Sequence, residues 1–577
     1  MQSQRLVLFF VFTMSVFLLY EGWQRDQNPT NLSIKSSELK PAPVAPSAPG
    51  VPAPSALPAT IAPTATAVVS APSAVVKSSG ELITVVTDVY RAQISTMGGD
   101  LVSLELLQHG HTLDAGKVDG QRNFLGWMVN LFNLGHDTPT DKNMFLFKRV
   151  PDHTYVAQSG LIGAQLPTHQ SMYTAAASSF EMGRSGELEV RLQANDASKS
   201  AKIYRFKKGS YVVDVSHELT NTSQQPLETH AYFQLMRDGK PPIGDSVMVP
   251  TFTGAAVYTD QEKYHKVSFG DIDKAKVSYP KVATDGWIGL VQHYFLGAWV
   301  PKPGVSREFY TRTIENGFYT MGLIIPSGVI APGATKSFSV PLYAGPQDQA
   351  TLAALSPGLD LVVDYGWLTV IASPLFLGLQ WIHGWVSNWG VAIVILTILI
   401  KLLFYPLSEA SYRSMAKMRV VAPKLQRLKD QYGSDRQRMQ LAMMELYKTE
   451  KINPLGGCLP VLIQIPVFIA LYSVLLASVE MRQAPFMLWI NDLSAPDAIL
   501  PFLMAATMIF QTSLNPEPPD PVQAKVMKIM PVVFSLFFFF SPAGLVLYWL
   551  VNNILSIAQQ WYITKQIEDA APKANKR

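Results

Sequence analysis

The sequence predicts a polytopic α-helical membrane protein with six spans and a large antiparallel β-domain. Only 16% of the 577 residues are charged and 48% are apolar, whereas soluble domains are typically about 25% charged. Five apolar runs of helical length follow residue 389, and short β-branched segments separated by turns precede residue 346. A chain of this length exceeds one hydrophobic core, so at least two folding units are expected.

The composition also excludes several classes of function. The single cysteine, Cys458, excludes a disulfide framework and a multi-cysteine metal cluster. A net charge of +4 is too small to indicate nucleic acid as a direct partner. We find no P-loop, nucleophile elbow or metal-ligand pattern in the sequence. The sequence thus offers no candidate catalytic residue, and no cofactor or metal is predicted.

The first 79 residues predict an anchor followed by a tether. Residues 6–20 are apolar and uncharged behind Arg5, which fits a signal peptide or an uncleaved anchor. No small-residue cleavage site follows closely, so a transmembrane anchor over 1–24 is favoured. Residues 41–76 contain nine prolines, eleven alanines and no charge, which is typical of an extended tether. A linker over 25–79 is predicted.

Residues 80–348 predict a large β-sandwich domain. Segments such as GELEVRLQA and KIYRFKKGSYVVDVSHELTN are β-branched or aromatic and are bounded by Gly, Pro and Asn turns. His217, His230 and His293 lie in or near these strands, but their spacing fits no ligand motif. We expect them to be ordinary surface or core histidines.

Residues 349–577 predict a five-span core. An amphipathic segment at 351–364 is expected to lie along the outer surface of the membrane. Each span needs about 20 residues to cross about 30 Å of hydrocarbon at 1.5 Å per residue, with some variation at the ends. The predicted spans are 389–407, 455–479, 498–514, 526–540 and 544–563.

The charges of the loops predict the orientation. Residues 409–451 carry ten Lys or Arg and five acids, and the tail from residue 565 carries four Lys or Arg. The loop over 480–497 has one Arg and three acids. The positive-inside rule therefore places 409–451 and the C-terminus in the cytoplasm, with the 480–497 loop outside. Six crossings in total then place the N-terminus in the cytoplasm and the β-domain outside. In a bacterium with two membranes, that outside is the periplasm.

The segment at 409–451 predicts a cytoplasmic helical hairpin. Apolar residues recur at intervals of three and four on both sides of a turn at 432–434. Ser434 with Gln437 has the spacing of a capping box for the second helix. Binding to anionic lipid and binding to a protein partner are both compatible with its basic, apolar surface.

The candidate functional residues are polar groups inside the apolar runs. Lys401 lies within VAIVILTILIKLLFYPL, where a charge near the bilayer centre costs about 2.5–3.5 kcal/mol on insertion scales. A lysine that reaches the membrane surface at the end of a span is the simpler alternative. Thr397 lies one turn away on the same face, and no carboxylate occurs inside any span. Other polar residues at comparable depth are Gln464, Asn552, Asn553, Ser556 and Gln559.

Four long strings resemble the YidC/Oxa/Alb family of membrane protein insertases. They are SYRSMAKMRVVAPKLQRLK, INPLGGCLPVLIQIPVFIALY, VEMRQAPFMLWINDLSA and SPAGLVLYWLVNNILSIAQQ. The resemblance covers nearly the whole chain, in the two-membrane bacterial layout. It implies that the protein is not an enzyme and that the β-domain is a periplasmic supersandwich similar to galactose mutarotase, without evident catalytic use.

The resemblance also implies a function and a site. The family inserts nascent inner-membrane proteins and helps them fold, alone or with the Sec translocon, so nascent proteins, translating ribosomes and membrane lipids are the expected partners. A cation in a hydrophilic groove, open to cytoplasm and lipid but closed on the outer side, corresponds here to Lys401. Arginine is usual at that position, so lysine is a departure that loses the bidentate fork. Thr397 and Gln464 correspond to residues that line the groove.

Two other classes of function remain as alternatives. A small-solute transporter or channel would use Lys401 as an anion site. A membrane-bound sugar enzyme would require a carboxylate or histidine constellation in the β-domain, which the sequence does not provide.

Overall fold

The structure is a computed structural model of the whole chain. It describes residues 80–110, 143–163, 165–195, 199–242, 251–276, 279–314, 317–433, 435–450, 459–515 and 521–570. The predicted anchor at 1–24 and linker at 25–79 lie outside the described residues. Contacts divide the described residues into a β-unit from 80 to 363 and a helical unit from 364 to 570, and each is described by itself.

The β-unit contains two large sheets, as predicted. The strand bounds are β1 Leu82–Val86, β2 Tyr90–Ser95, β3 Leu101–Gly110, β4 Asn143–Val150, β5 His153–Ile162, β6 Tyr173–Ala175, β7 Ser179–Glu181, β8 Glu187–Ala194, β9 Ser200–Lys207, β10 Val212–Thr220, β11 Leu227–Asp238, β12 Gly254–Thr259, β13 Lys263–Val267, β14 Val282–Ala283, β15 Trp287–Gln292, β16 Phe295–Trp299, β17 Arg307–Ile314, β18 Phe318–Ile330 and β19 Thr335–Pro346. In the ten-stranded sheet the order is β14-β17-β18-β11-β5-β4-β3-β2-β1-β7, and in the nine-stranded sheet it is β13-β12-β15-β16-β19-β10-β9-β8-β6. The pairings between these strands are antiparallel except for β1 with β7.

The pattern of buried residues follows from the position of each strand. Strand β8 alternates between exposed and buried residues over its second half, which is typical of a strand with one face in the core. Strand β5, in the interior of its sheet, is buried almost throughout. Trp287, Trp299 and Phe147 are among the largest fully buried side chains. An antiparallel β-sandwich is therefore confirmed.

The predicted histidines fit an ordinary structural role. His217 is buried and its Nε2 lies 3.0 Å from Ser159 Oγ. Burial lowers the pKa of His217 well below its ordinary value. The ring of His293 stacks on that of Tyr294, and His230 is half-buried on β11. Among the described residues, no group of three or more His, Cys, Asp or Glu is arranged to hold a metal ion.

One buried cation of the β-unit was not predicted. Lys202 on β9 is fully buried, and its Nζ donates to the carbonyl oxygens of Gly98 at 3.1 Å and Ser159 at 3.2 Å. Asp100 Oδ1 lies 3.6 Å from the same nitrogen. Burial lowers the pKa of Lys202 from 10.5 to about 8, although the Asp100 carboxylate opposes this shift. Lysine is rarely buried unless it is paired in this way.

Lys202 predicts a pH dependence of the β-unit. Between pH values of about 8 and 10.5 the unfolded chain retains a proton at Lys202 that the folded chain has lost. The contribution of Lys202 to the stability of the β-unit is therefore expected to increase with pH in this window, by up to about 1.4 kcal/mol per pH unit. His217 is neutral in both states there, because its ordinary pKa of 6.5 lies below this window and burial lowers the pKa further in the folded state. The measurement is hydrogen exchange of β9 peptides in the full chain, compared with Lys202→Met at each pH. Equal pH dependence in the two proteins would contradict the assignment.

The β-unit ends later than predicted. The β-unit contains three short helical segments: α1 over Phe269–Asp273, α2 over Gln349–Leu355, and a 3-10 turn over Asp360–Val362. The last two lie near its end. Trp287 Nε1 donates to the carbonyl oxygen of Pro357 at 3.3 Å, and the ring of Tyr258 covers Gly358. These contacts hold the segment on the sandwich, so the boundary lies at 363/364 instead of 348/349. The predicted helix at 351–364 is thus a short helix and a separate turn.

The helical unit has helices at each predicted span and one that was not predicted. The bounds are α3 Thr369–Val386, α4 Trp389–Leu403, α5 Tyr405–Tyr432, α6 Arg436–Thr449, α7 Leu459–Ala477, α8 Leu500–Ser513, α9 Pro521–Phe538 and α10 Ala543–Ala570. Among the described helices, none is by itself long and apolar enough to count as a membrane span. The pair formed by α4 and Tyr405–Ala416 of α5, bent by 66°, meets that test together. The number of spans therefore stays a prediction.

Helices α5 and α6 form the predicted hairpin, with a different cap. They contact each other, and Lys424 Nζ donates to Glu450 Oε1 at 2.6 Å across the pair. The N-cap of α6 is Asp435, whose Oδ1 accepts from the backbone nitrogens of Gln437 and Arg438 at 3.1 Å each. Asp435 was not the predicted cap, and Ser434 lies outside the described residues. Both residue types are good caps, so sequence alone does not choose between neighbours.

Candidate functional site

The site begins at the C-terminal end of α4. Asn388 caps this helix by accepting from the backbone nitrogen of Val391 at 3.0 Å. Lys401 lies in its last turn, where the free carbonyl groups favour a cation. The chain then bends by 66° into α5, which has Pro406 in its first turn. Proline is tolerated there because that backbone nitrogen has no partner within the helix.

Thr397 and Lys401 share a buried face of α4, as predicted. Their exposed fractions are 2% and 4%. Thr397 Oγ1 donates to the carbonyl oxygen of Ile393 one turn earlier, at 2.7 Å. The opposite side of the helix carries exposed apolar residues that include Leu399 and Leu403. The helix therefore turns its polar groups inward and presents an apolar surface outward.

The partner of Lys401 is a hydroxyl group on α10. Lys401 Nζ donates to Ser556 Oγ at 2.7 Å, and Ser556 Oγ donates to the carbonyl oxygen of Asn552 at 2.7 Å. Tyr412 on α5 is also buried and lies close to the Ser556 side chain. The described residues form no ion pair with Lys401. The cation is therefore held directly by one neutral hydroxyl group, that of Ser556.

The contribution of α5 to the site was not predicted from the sequence. Ser408, Ser411 and Tyr412 are all buried near its start. Their spacing of three and four residues places them on one helical face. A polar stripe at this spacing directly after Lys401 is a signal that could have identified them.

The remaining predicted residues do not form one cluster with Lys401. Asn553 Nδ2 lies 3.4 Å from Thr507 Oγ1 on α8, so this side chain joins α10 to α8. Gln559 is half-buried, and its Oε1 has no hydrogen-bond partner among the described residues. Gln464 is half-buried on α7, and the hydrogen bonds of the described chain do not connect it to Lys401. Only Lys401 and Ser556 are joined directly through their side chains.

This chain combines a large β-sandwich with an apolar helical bundle that encloses the Lys401 side chain. Together the two units define a class of protein. Two family models match this chain, "60Kd inner membrane protein" over residues 381–570 and "YidC periplasmic domain" over residues 133–377. The first covers the candidate site. The second lies largely within the β-unit.

Full-length relatives extend these matches. A membrane protein insertase YidC from Methylobacillus flagellatus is 51% identical, covering 99% of both chains. One from Aromatoleum aromaticum is 50% identical, covering 98% of both chains. The chain belongs to the YidC family of membrane protein insertases. It is thus an inner-membrane protein with a periplasmic domain, and the predicted family is confirmed.

Solved structures are similar to this chain at low sequence identity. A crystal structure of an active YidC insertase has a TM-score of 0.41 at 19% identity, covering 84% of this chain and 93% of that one. A galactose mutarotase related enzyme from Lactobacillus acidophilus has a TM-score of 0.28 at 10% identity, covering 46% of this chain and 97% of that one. The full-length relatives are named as insertases, which agrees with the prediction that this chain is not an enzyme.

Proposed function

We propose that this chain transfers hydrophobic segments of nascent proteins from the cytoplasm into the inner membrane through a cationic groove around Lys401. The observation that supports the proposal is that the Lys401 amine is hydrogen-bonded to a neutral group. This amine is enclosed within an apolar bundle and is held by the neutral hydroxyl of Ser556. A buried cation without a counter-ion has capacity for an acidic group.

The proposed mechanism reduces the cost of moving polar groups through lipid. An acidic segment that reaches Nζ takes the place of Ser556 Oγ as acceptor and gains a charge-assisted hydrogen bond. Polar side chains near the site shorten the distance over which the segment is without polar partners. The apolar helix of the substrate then leaves sideways into lipid, driven by burial of its surface. No nucleotide or covalent step is required.

The proposed topology has six spans, with both termini and the α5–α6 hairpin in the cytoplasm. The basic residues of the hairpin and the tail support it. The β-unit then lies in the periplasm, as its family model indicates. The proposed groove consists of the predicted polar residues of α4, α7 and α10: Lys401, Thr397, Gln464, Asn552, Asn553, Ser556 and Gln559.

Helix α3 replaces the predicted segment at 351–364 as the proposed interface helix. One face, including Phe376, Leu379 and Ile382, is buried, and α3 contacts α4 and α7. The other face exposes Trp381 and Trp385. Tryptophan is enriched at the interface between lipid and water. A helix with one face on the bundle and exposed tryptophans on the other suits that position.

The proposed partners at the cytoplasmic side are the translating ribosome and the Sec translocon. The hairpin offers exposed apolar side chains, Leu441 and Met444, beside the basic side chains of α5 and α6. A surface of this kind can bind proteins or anionic lipid.

Photo-crosslinking to a stalled nascent chain tests the proposed function. A photoreactive residue at Gln464 is expected to label a ribosome-bound single-span protein. The same residue at Ile465 is the matched control, because its exposed side chain points about 100° away around the helix. Consistent failure of Gln464 to label while the substrate still inserts would refute the groove. Saturable solute flux without protein insertion would favour a transporter.

A further inference from the structure

The loop between α7 and α8 has an exposed apolar tip. After a 3-10 turn at Val479–Met481, the chain reverses with the Phe486 nitrogen donating to the Ile490 carbonyl at 3.0 Å. The residues at the reversal are Met487, Leu488 and Trp489, and all three are exposed. Leu488 is 87% exposed and has a left-handed φ of 57°, a conformation that is uncommon outside glycine. The fold thus holds the large apolar side chain of Leu488 in an exposed position.

The first side of the loop is fixed to the start of α4. Asn388 caps this helix, and its Nδ2 also donates to the carbonyl oxygens of Pro485 at 3.3 Å and Phe486 at 3.1 Å. The ring of Phe486 lies against Gly390, where a Cβ would be 2.2 Å from the ring carbon Cδ2. The Asn388 side chain and the close contact at Gly390 therefore fix the segment that leads into the tip.

The second side of the loop is fixed to the start of α10. Oδ1 of the buried Asp492 accepts from the backbone nitrogens of Gln483 at 2.9 Å and Ser494 at 2.8 Å. The Gly544 nitrogen donates to the Leu493 carbonyl at 2.8 Å. The loop is thus held at both sides, which makes the outward position of the tip a property of the fold.

The chemistry of the tip fits lipid. Residues 483–491 contain no charge. Trp489 Nε1 donates to Asp497 Oδ2 at 3.1 Å, so its polar edge has a partner while its ring remains partly exposed. Contiguous exposed apolar groups mark a binding surface, and tryptophan with a satisfied N–H suits the boundary between headgroups and acyl chains. The loop also lies at the ends of α4, α7, α8 and α10, where the proposed spans leave the membrane.

We propose that Met487, Leu488 and Trp489 insert among the lipids of the outer leaflet. The partner is the lipid itself, and the proposal rests on the six-span topology proposed above. Because the loop is bonded to the starts of α4 and α10, insertion of the tip fixes the depth of these two helices. Those helices carry Lys401 and Ser556, so the tip sets the position of the site along the membrane normal.

Fluorescence quenching in liposomes tests this proposal on the full chain. In a Cys458→Ser background, Leu488→Cys is labelled with an environment-sensitive fluorophore, and the protein is reconstituted with lipids that carry a nitroxide high on the acyl chain. A blue-shifted emission that the nitroxide quenches is expected. Leu403→Cys, exposed on α4, is the lipid-facing control, and Ser185→Cys, exposed in the β-unit, is the water-facing control.

Any other outcome contradicts the proposal that the tip inserts into lipid. A solvent-like signal at position 488 with quenching at 403 would refute it and leave the topology intact. Protection from aqueous iodide without lipid quenching would show that protein covers the tip. Absence of quenching at both positions would reject the six-span topology as well. Met487→Cys repeats the measurement if the label at 488 disturbs the turn.

Discussion

Replacing Lys401 with alanine is expected to reduce the insertion of substrates with acidic tails by about tenfold or more. A hydrogen bond to a charged group contributes about 1.5–3 kcal/mol, and 1.4 kcal/mol corresponds to tenfold. Lys401→Arg retains the charge and is expected to preserve insertion, although its fork has a different geometry. The measurement is protease protection of a single-span substrate in proteoliposomes that contain the full chain.

Two controls separate loss of the charge from general damage. Lys208→Ala removes an exposed lysine of the β-unit and is expected to leave insertion unchanged. A substrate with a neutral tail is expected to depend less on Lys401 than one with an acidic tail. Equal insertion of the acidic-tailed substrate by Lys401→Ala and the unmodified protein would show that the cation does not assist it.

Replacing Ser556 with alanine is expected to destabilise the helical unit by about 1–3 kcal/mol, the usual cost of a buried polar group without a partner. The amine of Lys401 loses its acceptor at 2.7 Å. The measurement is thermal unfolding of the full chain in detergent micelles. Ser535→Ala is the matched control, because its buried hydroxyl donates to the Pro531 carbonyl in its own helix. That control is expected to change stability by about 1 kcal/mol or less.

A double-mutant cycle isolates the contact between Lys401 and Ser556. In a Lys401→Met background no buried ammonium remains, so Ser556→Ala is expected to cost much less than in the unmodified protein. The difference measures the interaction between the two side chains. An equal cost in both backgrounds would contradict the pairing that the structure shows.

The sequence predicts the residues of α4 better than their partners. Thr397 and Lys401 are four residues apart, and helical geometry alone places them on one face. The contact with Ser556 depends on how α10 is rotated against α4. Helix α10 has apolar residues around most of its circumference and several polar candidates, so its sequence does not define the face toward Lys401. Only tertiary packing selects Ser556.

Helix α3 was missed for a related physical reason. Its buried face and its exposed face both contain large apolar residues, such as Phe376 and Trp381, so the apolar period is weak. Pro374 lies inside the helix, and proline is a strong signal against a helical interior. The amphipathic pattern at 351–364 appeared clearer, but the sandwich holds most of that segment.

In the β-unit, too, the local sequence pattern was predictable and the packing of one side chain was not. Alternation in strands such as β8 predicted the sandwich, because a period of two is local. The burial of Lys202 was not predictable, since a lysine in a strand ordinarily lies on the solvent face. Its position depends on Asp100 and on two carbonyl groups from distant strands and turns.

Reversal of the charge at Lys401 tests the central claim most directly. The measurement compares Lys401→Glu with the unmodified protein on two single-span substrates that differ only in an acidic or a basic tail. If an acidic segment pairs with the amine during transfer, Lys401→Glu will fail with the acidic tail and will insert the basic tail at least as well as before. Normal insertion of the acidic-tailed substrate by Lys401→Glu would contradict the cationic groove.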